Sequence, residues 1–255
     1  MINIKTDSRK VKPGDIFVAL RGIVGDGHDF IPKAIENGAS KIIAEEGEYS
    51  VPYEIVSDSR AYLNNYLKQN YNKYLEEMHL IGITGTNGKS TAAYLIYDAL
   101  NKLDKKCCYI GTIGYFRETK IFDMPNTTPE VTEIYDMLIS AYDEGYRYAV
   151  IEASSEGLLH RRLENVPFEH AIFTNLTQDH LNIHGTMANY ARVGGATVNI
   201  GDCNGFNFGA GAGVAYEFRL GLTLGARYSM GFTDMAKNLK WKNNGNVQVT
   251  VGWLF

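Results

Sequence analysis

The segment at residues 85–91, Gly-Thr-Asn-Gly-Lys-Ser-Thr, restricts the possible folds of this chain more than any other segment. It follows an apolar run at 80–83, which predicts a short buried strand. It precedes a run in which apolar residues recur at helical spacing and predict one apolar helix face: Ala92, Leu95, Ile96, Ala99, Leu100 and Leu103. A glycine-rich turn that opens a helix directs backbone N–H groups and the positive end of the helix dipole at one point. The sequence therefore predicts a phosphate-binding loop.

Two side chains of this loop strengthen the prediction. Lys89 supplies a cation for the β- and γ-phosphates of a nucleotide, and the Ser90 hydroxyl is placed to reach Mg²⁺. The usual P-loop pattern has a further glycine five residues before Gly88, where this chain has Ile83. An ordinary strand–helix turn would not explain a lysine that is followed by two hydroxyl residues.

Composition excludes several classes of protein. The net charge of −4 over 255 residues gives no electrostatic footprint for nucleic acid. The first residues lack the pattern of a secretory signal, and no apolar run reaches the length of a membrane-spanning helix. The three cysteines lack metal-ligand spacing, and adjacent Cys107 and Cys108 are expected to be buried thiols in a reducing compartment. We therefore expect a cytoplasmic monomer without a nucleic-acid or membrane partner.

Strand and helix patterns divide the chain into three parts and indicate an α/β fold. Residues 1–77 predict a small N-terminal α/β domain, in which strands at 15–20 and 41–44 flank a short helix. Residues 78–191 predict a truncated, P-loop-type, doubly wound central domain, because strands and helices alternate there. The elements predicted in this part are strands at 80–83, 107–113, 148–151 and 171–173, and a helix with a face of Val131, Ile134, Met137, Leu138 and Ala141.

Polar residues follow the predicted strands of the central part, at the edge where parallel sheets bind their ligands. Glu152 ends one strand and is the type of residue that anchors Mg²⁺ beside a phosphate loop, although acids there are also common helix caps. Thr174 and Asn175 end another strand. His180 and His184 are four residues apart and could share a metal, or could be hydrogen-bonded core histidines.

Several motifs resemble those of the Mur ligases and occur in the same order. They are residues 84–91, Asn126-Thr127-Thr128-Pro129, Glu152-Ala153-Ser154-Ser155, and 174–181 followed by His184-Gly185. The opening motifs at 7–9, 13–15 and 27–30 are similar to those of the MurE branch, which joins a diamino acid to UDP-N-acetylmuramoyl-L-alanyl-D-glutamate. The resemblance covers residues 1–191.

The resemblance implies an ATP-dependent amide ligase of peptidoglycan precursor synthesis, which works through an acyl phosphate and uses ATP and Mg²⁺. Its partners would be UDP-MurNAc-L-Ala-D-Glu and a diamino acid. The ATP-binding residues would be Gly85, Thr86, Asn87, Gly88, Lys89, Ser90 and Thr91. The substrate-binding residues would be Ser8, Asn126, Thr127, Thr128, Ser154, His160 and Arg162. Lys89, Glu152 and His180 would be catalytic, and Ser90, Glu152 and His180 would hold metal. Glu156 and His160 differ from the commonest residues of the family.

After residue 191 the resemblance ends. The family has a lysine, carbamylated to help bind a second Mg²⁺, where this chain has Gly194, and the domain that binds the amino acid does not follow. Residues 192–255 are instead rich in glycine and alternate apolar with other residues, as at Val247, Val249 and Val251. This alternation predicts an antiparallel β tail. Residues 196–255 resemble the last strands of a bacterial outer-membrane β-barrel, and a soluble antiparallel meander would show the same pattern.

The sequence leaves three classes of function open. The first is a shortened Mur-type ligase, inactive, in which the tail is a fused fragment. The second is an ATP-binding remnant without turnover, because of Gly194 and the missing domain. The third is an outer-membrane barrel protein with a foreign head, against which the lack of a secretory signal counts. Folylpolyglutamate synthases share the phosphate loop, but the MurE-like opening motifs argue against them.

Overall fold

The computed structural model describes residues 2–22, 25–175, 181–186, 189–190, 209–217, 222–231 and 245–253. The chain divides into two compact units, residues 1–197 and residues 198–255. In the N-terminal part the elements are β1 (Ile4–Lys5), β2 (Ile16–Val18), α1 (Ile31–Glu36), β3 (Lys41–Ala44), β4 (Tyr53–Ile55) and α2 (Ser59–Leu75). The strands pair in parallel in the order β1-β2-β3-β4. The predicted strands at 15–20 and 41–44 are therefore confirmed.

Local signals explain where the two helices of this part begin and end. Pro32 lies in the first turn of α1, and Gly38 just after its end has φ +95°, a conformation that glycine adopts without a steric penalty. At the start of α2, the Asp58 carboxylate accepts a 2.8 Å hydrogen bond from Ala61 N and caps the helix. Helix α2 was not predicted from the sequence, because its tyrosines and asparagines leave only a narrow apolar stripe.

A six-stranded sheet follows in the same unit. Its elements are β5 (His79–Thr84), α3 (Lys89–Lys102), β6 (Cys107–Gly111), β7 (Gly114–Phe116), β8 (Lys120–Phe122), α4 (Val131–Asp143), β9 (Tyr148–Glu152), α5 (Ser155–Leu159), β10 (His170–Phe173) and α6 (Leu181–His184). The strand order is β10-β5-β9-β6-β7-β8, in which β10, β5, β9 and β6 are parallel. The antiparallel edge of β7 and β8 was not predicted from the sequence.

Helices cover both faces of this sheet, so the predicted doubly wound α/β architecture is confirmed. Because side chains alternate along a strand, Cys108 and Ile110 of β6 face the cluster that includes α2 and α4, whereas Cys107 and Tyr109 face α3. Cys107 and Cys108 are buried free thiols, as predicted, and burial raises the pKa of Cys108 to about 12.

The apolar face predicted for α3 is wrong in part. The residues of this helix that are buried are Ala93 and Tyr97, whereas Leu95 and Leu103 are 62% and 70% exposed. The reason is that β6 and β7 present Tyr109 and Phe116 to the helix, and Tyr97 packs against both rings. Ala92, Ile96 and Leu100 of the predicted face do pack against this cluster, so the prediction holds for them and fails for Leu95 and Leu103.

One apolar cluster extends across the predicted domain boundary at 77–78. It contains Ile4 and Ile43 of the first sheet, Leu63 and Leu67 of α2, and Leu80 of β5. The boundary remains a prediction, and the two sheets share this core.

The tail forms a three-stranded antiparallel sheet of β11 (Gly209–Glu217), β12 (Leu222–Gly231) and β13 (Gly245–Trp253), in that order. Val247, Val249 and Val251 lie opposite Tyr228, Ala226 and Leu224. The predicted antiparallel β tail is confirmed for these residues. Among the helices that the structure describes, none is long and apolar enough to cross a membrane.

Candidate active site

The predicted phosphate loop lies at the carboxyl edge of the parallel sheet, between two neighbouring strands. It follows β5, which pairs with β10 on one side and with β9 on the other. Gly85 has φ +130° and Gly88 has φ +81°, so both positions favour glycine. Gly88 is the N-cap of α3, and the loop therefore meets the positive end of that helix. Ile83, where the usual pattern has glycine, is a buried residue of β5.

Two residues that directly follow β10 hold this loop through hydrogen bonds to the loop's backbone. Asn175 accepts from Thr86 N at 2.8 Å through its carbonyl and from Asn87 N at 3.0 Å through Oδ1. Its Nδ2 donates to Asn87 O at 2.8 Å, and Thr174 Oγ1 donates to the same oxygen at 2.7 Å. A Cβ on Gly85 would lie 2.2 Å from Thr174 Oγ1. The predicted cluster of polar residues at the strand ends therefore braces the loop.

Lys89 and Ser90 begin α3 and point toward different parts of the site. Lys89 Nζ donates to Gly85 O at 2.8 Å and to Thr86 O at 3.0 Å, so its ammonium lies over the loop. Ser90 Oγ donates to Glu152 Oε2 at 2.8 Å. Thr91 is exposed in the first turn of the helix.

Glu152 ends β9 next to the loop, and its carboxylate is fully buried. Thr112, which follows β6, donates to Oε1 from its backbone N–H at 3.1 Å and to Oε2 from its hydroxyl at 3.2 Å. The Tyr109 hydroxyl also donates to Oε1. Four hydrogen bonds thus stabilise a charge that burial alone would penalise. Neither Thr112 nor Tyr109 was predicted as a site residue from the sequence. Thr112 could have been predicted, because it follows a parallel strand at the edge where ligands bind. Tyr109 could not, because it has the pattern of a core residue.

A second group of predicted residues lies directly beside Glu152. Thr128 Oγ1 donates to Glu152 O at 2.8 Å and accepts from Ser154 N at 2.9 Å. The Thr127 hydroxyl is 2.9 Å from the Thr112 hydroxyl. Arg162 donates from Nη1 to Thr128 O at 3.0 Å. The structure therefore brings Thr127, Thr128, Ser154 and Arg162 together at the edge that carries the phosphate loop.

Arg162 and His160 each present a buried nitrogen that lacks a hydrogen-bond partner within the described part of the chain: Arg162 Nε and His160 Nε2. Burial lowers the pKa of His160, and the charge of Arg162 lowers it further. His160 is therefore neutral at pH 7, and its ring is suited to a neutral hydrogen-bond partner. Neither Ser8 nor Asn126 makes a side-chain hydrogen bond to this group among the described contacts; Ser8 is buried in the 3₁₀ turn Ser8–Lys10, and Asn126 is exposed. His180 and Gly194 lie outside the described residues.

The oxygen donors around Glu152 fit a hard cation. Mg²⁺ prefers carboxylate, hydroxyl and phosphate oxygens and keeps several waters, so one carboxylate with a serine beside a phosphate loop suffices. In the described parts of the chain, no group of three or more His, Cys, Asp and Glu residues is arranged to hold a metal ion by itself. This donor set suits a metal that binds together with phosphates better than a resident structural metal.

A glycine loop between parallel strands, a helix that starts at it, and a carboxylate on the neighbouring strand define a nucleotide-binding α/β fold of the P-loop type. Residues 2–84 match the catalytic domain of the Mur ligase family, and residues 83–196 match the Mur ligase middle domain. The chain thus belongs, through residues 2–196, to the Mur ligase family.

Curated relatives carry the name UDP-N-acetylmuramoyl-L-alanyl-D-glutamate–2,6-diaminopimelate ligase. The protein of Geobacillus thermodenitrificans is 38% identical over 196 residues, which cover 76% of this chain and 40% of that protein. The protein of Chlorobaculum tepidum is 43% identical over 196 residues, which cover 74% of this chain and 38% of that protein. The chain therefore spans about 40% of the length of these relatives.

Solved structures agree with this family. A UDP-N-acetylmuramoyl-L-alanyl-D-glutamate–2,6-diaminopimelate ligase matches with a TM-score of 0.64 and 31% identity, over 75% of this chain and 39% of that one. The MurF ligase of Thermotoga maritima in complex with ADP matches with a TM-score of 0.56 over 88% of this chain and 55% of that one. At 20% identity, the second comparison supports the fold alone.

Proposed function

We propose that residues 1–191 form the nucleotide and UDP-muramoyl-peptide site of an amide ligase in peptidoglycan precursor synthesis. The observation that carries the proposal is the hydrogen bond between Ser90 Oγ and Glu152 Oε2, which joins the phosphate loop to the carboxylate of the neighbouring strand. The MurE-type names of the relatives support a substrate of the UDP-MurNAc-L-Ala-D-Glu class and a diamino acid as the second substrate.

ATP is the nucleotide that the loop would bind. Asn87 and Gly88 are exposed at the start of α3, and Lys89 lies over the loop, where its charge would meet the β- and γ-phosphates. Ser90 and Glu152 would hold Mg²⁺, which neutralises phosphate charge when it is bound. His180 would complete the metal site according to the family resemblance.

The acceptor carboxylate would bind on the side of Thr127, Thr128, Ser154 and Arg162. The guanidinium of Arg162 pairs well with a carboxylate or a phosphate, and its Nε lies 4.0 Å from Glu130 Oε2 without a hydrogen bond among the described residues. His160 adds a neutral ring next to Arg162, and Ser8 and Asn126 would contact more distant parts of the substrate. Proximity of these residues to Glu152 would place the acceptor next to the γ-phosphate.

The proposed reaction has two balanced steps. An oxygen of the substrate carboxylate attacks the γ-phosphorus of ATP, the bond to the β-phosphate oxygen breaks, and ADP leaves. The amine of the diamino acid then attacks the carbonyl carbon of the acyl phosphate, its nitrogen gives up a proton to solvent, and phosphate leaves as the amide forms. Lys89 would stabilise the charge that spreads over the transferred phosphoryl group.

Binding calorimetry with the full chain tests the nucleotide site. We expect ADP with Mg²⁺ to bind, and Lys89→Ala to weaken that binding at least about tenfold, since a charge-assisted hydrogen bond contributes about 1.5–3 kcal/mol. Lys102→Ala is the matched control, because Lys102 ends the same helix and pairs with Asp98 in solvent. Failure of the unaltered chain to bind ADP, or equal binding by Lys89→Ala, would contradict the proposal.

A second measurement tests the substrate side and separates a ligase from a nucleotide-binding chain without turnover. UDP-MurNAc-L-Ala-D-Glu should bind to the chain, and Arg162→Ala should weaken that binding. Arg161→Ala is the matched control and should leave the affinity unchanged, because Arg161 pairs with Asp58 and Glu164. Phosphate release that requires both this substrate and a diamino acid would assign ligase turnover to the chain. Nucleotide binding without such release would assign binding alone.

A further inference from the structure

The Tyr109 side chain packs against three other aromatic rings. Tyr94 and Tyr97 of α3 and Phe116 of β7 lie with their ring centroids 6.1, 6.2 and 5.7 Å from that of Tyr109. The residue is fully buried. Because ring positions in such a cluster are fixed by packing, the Tyr109 hydroxyl has a fixed direction as well.

That hydroxyl is directed at Glu152, the candidate metal-binding carboxylate. It donates to Oε1, which also accepts from Thr112 N at 3.1 Å. Space for the pair exists only because residue 111 is glycine: a Cβ there would lie 2.3 Å from Glu152 Oε1 and 2.5 Å from the Tyr109 hydroxyl.

The two carboxylate oxygens thus have different surroundings. Oε1 faces the protein interior and the Tyr109 hydroxyl, whereas Oε2 faces Ser90 and the phosphate loop. The terminal torsion of a glutamate is broad, so a carboxylate without a fixed partner samples many orientations. The Tyr109 hydroxyl adds to the bond from Thr112 N on Oε1 and further restricts this torsion, so that Oε2 stays directed toward Ser90 and the loop.

We propose that Tyr109 is a positioning residue, which orients Glu152 so that Oε2 is presented to a divalent cation beside the nucleotide phosphates. This inference rests on the proposed function, because it requires Glu152 to bind metal. Tyr109 itself touches neither the cation nor the nucleotide; it acts through the carboxylate, as hydrogen-bond partners of metal ligands commonly do.

The test is the affinity of the full chain for Mn²⁺, measured by electron paramagnetic resonance in the presence of saturating ADP. Tyr109→Phe keeps the ring in its cluster and removes only the hydroxyl. We expect it to weaken Mn²⁺ about tenfold, the lower end of the effect of losing such a partner. The affinity for ADP without metal should stay unchanged, which a general structural defect would not allow.

Tyr97→Phe is the matched control. Tyr97 is a tyrosine of the same cluster, but its hydroxyl donates to Arg117 O and does not contact Glu152. It should bind Mn²⁺ as the unaltered chain does. Gly111→Ala places a methyl group against the hydrogen bond between Tyr109 and Glu152, so it should also weaken the binding of Mn²⁺. This second variant keeps the test decisive if Tyr109→Phe does not fold.

Two results would overturn the inference, and they differ from one another. If Tyr109→Phe binds Mn²⁺ as tightly as the unaltered chain, Tyr109 does not position the carboxylate, while the proposed function stands. Where Tyr109→Phe does not fold, the same conclusion follows if Gly111→Ala binds Mn²⁺ as tightly as the unaltered chain. A lack of Mn²⁺ binding by the unaltered chain in the presence of ADP would overturn the proposed metal site, and the inference with it.

Discussion

Ser90 Oγ donates a 2.8 Å hydrogen bond to Glu152 Oε2, across 62 residues of sequence. The bond exists because β5 and β9 are neighbours in the sheet and end at the same edge, with Ile83 opposite Glu152. It places the first hydroxyl of α3 and the buried carboxylate in one site.

Replacing Ser90 with alanine removes one of four hydrogen bonds to the Glu152 carboxylate. We expect Ser90→Ala to lower the free energy of unfolding by about 1 kcal/mol, since three donors remain. Binding of ADP with Mg²⁺ should weaken more than binding of ADP alone, which calorimetry with and without the metal measures. Ser50→Ala, at an exposed serine, is the control. An equal loss in both conditions would contradict a role of Ser90 toward the metal.

Alanine at Gly85 should destabilise the chain more than alanine at Gly145. Both positions have positive φ, +130° and +86°, but a Cβ at Gly85 would meet Thr174 Oγ1 at 2.2 Å, whereas a Cβ at Gly145 has no atom within 4 Å. We expect about 1 kcal/mol for Gly145→Ala from backbone strain and more than about 2 kcal/mol for Gly85→Ala. Denaturant unfolding measures both, and similar losses would show that the loop can move away from β10.

The ion pair of Arg60 and Glu130 joins α2 to the start of α4, and its side chains are only 18% and 23% exposed. The Arg60 guanidinium makes two hydrogen bonds to the carboxylate, one of them 3.0 Å long. A double-mutant cycle with Arg60→Ala and Glu130→Ala should give a coupling energy of about 1–3 kcal/mol. The exposed pair of Lys33 and Glu36 should give about 0.5 kcal/mol or less. Equal coupling of the two pairs would contradict this prediction.

His160 should make the chain less stable in acid. Burial and the charge of Arg162 lower its pKa in the folded state, so between that lowered pKa and the ordinary value near 6.5 the unfolded chain binds more protons. The contribution of His160 to the free energy of unfolding is therefore complete above the ordinary pKa. It is lost as the pH falls toward the lowered pKa of the folded state. His160→Gln cannot titrate, and its stability should fall less between pH 7.5 and 5.5 than that of the unaltered chain. A parallel decline of both proteins, measured by denaturant unfolding at each pH, would show that His160 is not the source.

Local sequence patterns were enough for much of the fold. The apolar runs at 41–44 and 80–83 form β3 and β5, as predicted, and residues 131–141, with their predicted apolar face, lie in α4. The signal in these segments lies in the periodicity of neighbouring residues, which elementary packing converts into a strand or a helix. Helix α2 was missed because its buried residues include Asn64 and Asn72, whose partners are distant in sequence.

The amino-acid sequence by itself determined the glycine-rich loop at residues 85–91, because two glycines, a lysine and a serine at fixed spacing already specify a turn that opens a helix. It also placed Glu152, Thr174 and Asn175 at strand ends. Only the tertiary structure decided that β9 and β10 flank this loop, and that Tyr109, with the pattern of a core residue, reaches the Glu152 carboxylate. The physical reason is that strand order and side-chain packing depend on contacts between residues far apart in the chain, which no local spacing encodes.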